Sequence, residues 1–172
     1  ICNYNFRRRQ CSCSEVWRKA LRLSTIVARD LNEAWWKVLR EILEHGYEYT
    51  ITQGSHNVGK KRIELDCVTI QITNPGNRPL SPIVPEGVAI PTSDRYIEQD
   101  YLPYLLTNQV QKNEIYSYGQ YFESQFLKII DKYRNGGYNT NQACATIGDM
   151  NSIDLIDPPC LKVVDTRIRY GK

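Results

Sequence analysis

The sequence predicts an α+β fold (α/β in a looser classification), on three observations. Apolar residues recur at helical spacing in two long stretches, 30–46 and 118–134. Residues 63–72 alternate apolar and polar as a half-buried strand does. Two more strand-like runs follow the second helix, at 143–147 and 161–170.

In chain order, residues 1–29 read as a basic N-terminal appendage. They hold Arg7-Arg8-Arg9 and Cys11-Ser12-Cys13, then a short helical pattern at Val16, Ala20 and Leu23. Asp30 caps the first long helix, with Glu33 in the capping-box position. Leu31, Ala34, Trp35, Val38, Leu39, Ile42 and Leu43 form its apolar stripe, and Gly46 stops it. Trp35 and Trp36 are expected in or near the core. Residues 52–62 read as a solvated loop that also offers backbone amides and the cations Lys60, Lys61 and Arg62 to a phosphate. His56 is read as a solvated member of that loop.

Ile63 to Ile72 then reads as one strand with one buried face, stopped by Asn74-Pro75-Gly76, and the Pro-rich stretch to Pro91 reads as loop. Asp94 caps a helix to residue 106 whose last turn Pro103 disturbs. In 118–134, Tyr118, Phe122, Phe126, Ile129, Ile130 and Tyr133 face the core, and Asn135-Gly136-Gly137 ends the helix. Ala143 to Ile147 reads as a short buried strand and Leu161 to Tyr170 as another. Cys67 and Cys144, embedded in these apolar patterns, are expected to be core thiols. Asp149 and Asp165-Thr166-Arg167 read as surface.

A length of 172 residues suits one domain or a little more. The 41% hydrophobic and 24% charged composition excludes a wholly disordered chain. No run nears the ~18 apolar residues of a membrane span, and no secretory signal pattern opens the chain. A soluble, cytoplasmic protein with no membrane partner is the expectation. Residues 1–29 carry seven Lys/Arg and one acid, so the net +3 leaves residues 30–172 mildly acidic. A short basic segment of this kind is not enough to predict a nucleic-acid partner. Six cysteines accompany only two histidines, without zinc-site spacing, so no metal is expected. The chain ends just after a strand, at Gly171-Lys172, where a hairpin ordinarily continues, so further downstream sequence is expected.

The most informative pentapeptide is Asp157-Pro158-Pro159-Cys160-Leu161. Two prolines fix the backbone ahead of a thiol, and a strand pattern follows. A nucleophilic cysteine needs such rigid presentation and nearby cations, although the same pentapeptide suits a buried structural thiol.

The order of four features carries a resemblance: a helix ending in Glu44-His45-Gly46, a Gly-containing loop before a strand, Tyr118-Gly119-Gln120, and Pro-Pro-Cys160 before a strand. Over residues 30–172 this order resembles thymidylate synthase, and most of all its archaeal branch. The resemblance implies a β-sheet core with helices packed on one face, incomplete at its C-terminus, with 30–172 as the N-terminal portion of the catalytic domain. It implies Cys160 as nucleophile, adding to C6 of dUMP so that C5 takes a one-carbon unit from methylenetetrahydrofolate or an archaeal pterin analogue. Tyr118 would line the nucleotide cavity. Gln120 stands one place early for the glutamine of the family's Tyr-Gly-x-Gln tract. Glu98 stands for the acidic proton relay, and Lys60, Lys61 and Arg62 for the early phosphate cation.

The family's arginine pair upstream of its cysteine has no counterpart in Asn139-Thr140-Asn141-Gln142. Its Arg-Ser-x-Asp tract, uracil-reading asparagine and late His-x-Tyr pair would follow Lys172. A monomer or a homodimer fits the pattern. The alternatives are a hydroxymethylase acting on CMP or dCMP, which traps the methylene with water, and a catalytically incompetent fragment whose basic tail binds nucleic acid or a partner.

Overall fold

Strand β1 (Leu23–Ala28) opens the computed structural model, which describes residues 21–54, 56–110, 112 and 114–170. Its β-branched Thr25, Ile26 and Val27 favour an extended chain, and alternate residues Ser24, Ile26 and Ala28 are buried. It pairs in parallel with β4 (Cys67–Ile72), from Leu23 opposite Cys67 to Ala28 opposite Ile72. Residues 23–28, inside the expected appendage, are therefore sheet, and Leu23 starts a strand rather than closing a helical pattern. Residues 1–20, with the arginine run and Cys11-Ser12-Cys13, lie outside the described residues.

Helix α1 (Leu31–His45) crosses over between those two strands and packs on both. The Asp30 carboxylate accepts the Glu33 N–H at 3.0 Å, and Glu33 in turn accepts the Arg29 N–H at 2.8 Å, so two of the helix entrance donors are satisfied. Ala34 is buried, Trp35 is partly covered and Trp36 is at the surface, its indole N–H donating to the Ile83 carbonyl at 3.1 Å. That bond ties the long loop after β4 to α1, as does the Ile83 N–H on Asn32.

Beyond Gly46 the chain forms a hairpin, β2 (Tyr47–Thr50) against β3 (Lys61–Glu64), antiparallel with Thr50 opposite Lys61. The expected single strand 63–72 is thus two strands, broken at Leu65–Asp66; of the three cations expected in the loop, Lys61 and Arg62 start β3 and Lys60 stays in the turn. The expected buried face of that run is also absent. β4 is exposed along most of its length because the pair β1–β4 carries α1 on one face only; on the other, Val27 is 55% exposed. Cys67, opposite Leu23, lies on this thinly covered pair and is exposed instead of being a core thiol.

The helical stretch 94–106 is continuous but not uniform: α2 (Asp94–Tyr96), a π-helical turn (Ile97–Tyr101) and α3 (Leu102–Leu106). Ser93, not Asp94, is the cap. Proline at 103 has no N–H to continue the ladder, and the turn before it widens so that the Leu102 N–H reaches Ile97, five residues back. Asp94 instead accepts the N–H groups of Leu80 and Ser81, pinning the loop to the helix.

Helix α4 (Tyr118–Arg134) has the bounds its periodicity predicts, from its cap Ser117 to Asn135. It packs on α3 and on β5 (Cys144–Thr146), which pairs antiparallel with β6 (Val163–Asp165). Tyr118, Phe122 and Ile129 of α4 meet Ala143, Ala145 and Ile147, the last of these three flanking β5. Ala145 is 0% exposed, while its neighbours Cys144 and Thr146 face outward because α4 covers one face alone. Cys144 is therefore an exposed thiol, contrary to expectation. β6 is three residues long rather than ten, since β5 offers it no longer partner.

The fold is α+β. Its described strands make three two-stranded sheets, where one sheet core was expected. No described helix is long and apolar enough to cross a membrane.

Candidate functional site

The segment carrying Cys160 is fixed at both ends. Asp149 caps a 3₁₀ turn (Met150–Asp154) in a reciprocal box with Ser152, which is itself buried. Pro159 is among the most deeply buried side chains, while Cys160 beside it is exposed. Burying Pro159 leaves no orphaned donor, because it has no N–H. The first donor after this proline is the Cys160 N–H, and it is given to the Tyr118 hydroxyl at 3.2 Å. Two residues 42 positions apart in sequence are thereby joined.

Tyr118 is held rigidly. It is 6% exposed and packs edge-to-face against Tyr104 and Tyr116, with ring centroids at 5.2 and 5.7 Å. The α4 entrance beneath it is tight. The Ser117 hydroxyl donates to the Thr107 carbonyl at 3.0 Å and accepts the Gln120 N–H at 3.2 Å. At Gly119 a Cβ would overlap the Thr107 backbone, so the Tyr-Gly pair has a physical cause: tyrosine supplies the hydroxyl and glycine admits the neighbouring chain.

On the far side of α4, Gln125 fixes β5. Its amide donates to the Thr146 carbonyl at 2.8 Å and accepts the Thr146 N–H at 3.1 Å. The Tyr133 hydroxyl meets Thr166, which donates to the Ala143 carbonyl.

The phenols around Cys160 are kept protonated. Burial pushes the Tyr101 phenol up, and Tyr118 and the nearby Cys160 add to this. Burial likewise raises Tyr104, helped by the charge of Glu114, and raises Tyr116 furthest, helped by Tyr118 and Tyr104. At neutral pH these hydroxyls are therefore available as donors.

The remaining sequence-predicted residues sit elsewhere. Glu98 pairs with Arg78 at 2.6 Å, and Arg78 also reaches Asp94, so this carboxylate ties the loop to the helix. Lys61 pairs with Glu48 across the hairpin at 2.6 Å. In the hairpin loop the Gly59 and Lys60 N–H groups are already given to Ile51 and Asn57, so these amides are not presented to a phosphate. Among the described residues no hydrogen bond or ion pair joins Lys60, Lys61 or Arg62 to Cys160 or Tyr118. Gln120 is an exposed residue of the first α4 turn.

Sequence reasoning missed Tyr101, Tyr104, Tyr116 and Gln125. The tyrosines left a signal, since six of the chain's twelve fall between Tyr96 and Tyr121. At the end of α1, ligand atoms of Glu41, Glu44 and His45 lie within 4.8 Å of one another, but Glu41 is engaged by Ser24 and Arg22.

Compared with protein families, curated proteins and solved structures, the chain has no match.

Proposed function

We propose that the chain carries the nucleophile of a thymidylate synthase-type reaction, the C5 methylation of dUMP. The observation that supports this reading is the hydrogen bond between the Cys160 backbone and Tyr118, the two residues assigned to nucleophile and nucleotide cavity. An exposed thiol beside a buried, proline-fixed backbone and a wall of tyrosine rings suits covalent attack on a flat heterocycle.

In this reading the Cys160 sulfur bonds to C6 of the pyrimidine, and the electron pair moves to C5. C5 then bonds to the methylene of a reduced pterin, and loss of the C5 proton breaks the methylene's bond to the pterin nitrogen, leaving an exocyclic methylene at C5. Hydride from the pterin completes the methyl group, and the thiolate leaves C6 unchanged. The protonated phenol of Tyr116 offers a hydrogen bond to the ring's polar edge.

The test is intact mass after mixing the chain with 5-fluoro-dUMP and methylenetetrahydrofolate, followed by peptide mapping. A covalent adduct on the Cys160 peptide, absent in Cys160→Ala and unaffected by Lys61→Ala, is the expected result. An adduct on Cys67 or Cys144, or none from dUMP analogues in a chain extended past Lys172, overturns the reading.

A further inference from the structure

The stretch of helix that precedes Tyr118 in sequence borders a cleft of about 200 Å³, lined by Tyr96, Asp100, Tyr101, Tyr104 and Glu114. Three phenol rings and two carboxylates form its walls, with no basic and no aliphatic side chain among them. The rings follow one another along the cleft, Tyr96 to Tyr101 at 6.4 Å and Tyr101 to Tyr104 at 6.1 Å between centroids. Neither Asp100 nor Glu114 has an ion-pair partner among the described residues, where Asp30, Glu33, Glu48 and Glu98 each have one.

Both side chains are acidic, and the faces of the tyrosine rings are negative as well. A phosphate or carboxylate ligand is repelled by such walls. A neutral apolar ligand would desolvate two unpaired charges for no return interaction. Among the described residues no three metal-ligating side chains converge here, so a divalent ion would keep most of its water. A small organic cation fits all parts of the lining: its alkyl surface lies on the rings and its charge faces the carboxylates. The volume is below that of a drug-sized site, so the ligand group is compact.

We propose that this cleft binds a compact organic cation of the alkylammonium type. The site takes the opposite charge to a nucleotide, and none of the phenols that line it is assigned a part in C5 methylation.

The experiment titrates the full chain with tetramethylammonium chloride against sodium chloride of equal ionic strength, following tyrosine ring resonances by NMR without nucleotide. Saturable shifts at Tyr96, Tyr101 and Tyr104 with tetramethylammonium, and none with sodium, are expected. Tyr96→Leu should weaken binding by about two- to fivefold, as loss of one exposed cation–π contact does. Asp100→Asn should weaken it at least as much. Both side chains are at the surface, Tyr96 being 52% exposed, so neither change should alter the far-ultraviolet circular dichroism. Shifts that do not saturate, an equal response to sodium, or unchanged affinity in both variants overturns the proposal. Tighter binding of low-millimolar guanidinium overturns the choice of alkylammonium. With no nucleotide in the sample, none of these results bears on the reaction at Cys160.

Discussion

The β1–β4 region and the region from α2 to β6 use the same kinds of element and hold them in different ways. In the first, a parallel strand pair carries one helix, and much of the order comes from the ends: the Asp30 cap, the Glu33–Lys37 pair at 2.7 Å and the Ser24–Glu41 hydrogen bond at 2.7 Å. In the second, Phe122, Ile129 and Tyr118 interlock with Ala143, Ala145 and Ile147, and hydrogen bonds lock the rim. Parallel strands ordinarily bury both faces, so the half-covered first region keeps its shape by polar anchoring. The lesson is that the residue carrying the candidate chemistry is placed by the packed region, and the cationic hairpin by the anchored one.

Substitutions can separate the two. The largest effect is expected from Phe122→Ala, which should cost about 3–5 kcal/mol by opening a cavity under α4. Urea unfolding measures it, and a loss below about 1 kcal/mol would contradict the packed description of this region. Next comes Gly119→Ala. The added methyl meets the Thr107 backbone, with an expected cost of about 1–3 kcal/mol and a changed alkylation rate at Cys160 but not at Cys67. Ser117→Ala removes the buried α4 cap at about 1 kcal/mol. Its counterpart Asp30→Ala should only speed hydrogen exchange in the first turn of α1, leaving α4 untouched.

The smallest effects come from pH, and they should divide the regions by direction. Asp30 is held below the usual carboxylate range by the Glu33 N–H and then by Arg29, Glu33 by Lys37 and the Arg29 N–H, and Glu41 chiefly by Ser24. Their contribution is present above the ordinary carboxylate pKa of about 4 and is lost as pH falls further. Tyr101, Tyr104 and Tyr116 are raised, so their contribution is complete below about pH 10 and is lost as pH rises through the folded values. Hydrogen exchange across the pH range should therefore show α1 loosening first in acid and α3–α4 first in alkali. The reverse order would remove the electrostatic distinction.

Local chemistry made α1, α4 and β5 legible, because cap residues, periodicity and a Gly-rich stop all act within a few residues. β1 was hidden because Leu23 continues the helical spacing of Val16 and Ala20, while the strand's partner lies at Cys67–Ile72. The hairpin was hidden because Lys61 and Arg62 look like loop residues until Glu48 and Tyr49 are seen opposite them. At the candidate site, Cys160 and Tyr118 were each readable from their motifs, but their contact spans 42 residues and belongs to the tertiary structure. Glu98 shows the limit from the other side: an acid at a plausible position is engaged by Arg78, a partner the local sequence does not announce.

Gln125 has a consequence for how molecules of this protein meet one another. β5 gives its hydrogen bonds to β6 through Ala143 and Ile147, so the alternate residue Thr146 turns its N–H and carbonyl outward along a bare strand edge. A bare edge is a template on which another chain can add a strand. The Gln125 side chain occupies that template with a donor and an acceptor of its own, acting as a one-residue imitation strand. The same amide that fastens the sheet to its helix thus closes a place where copies of the chain would otherwise stick together.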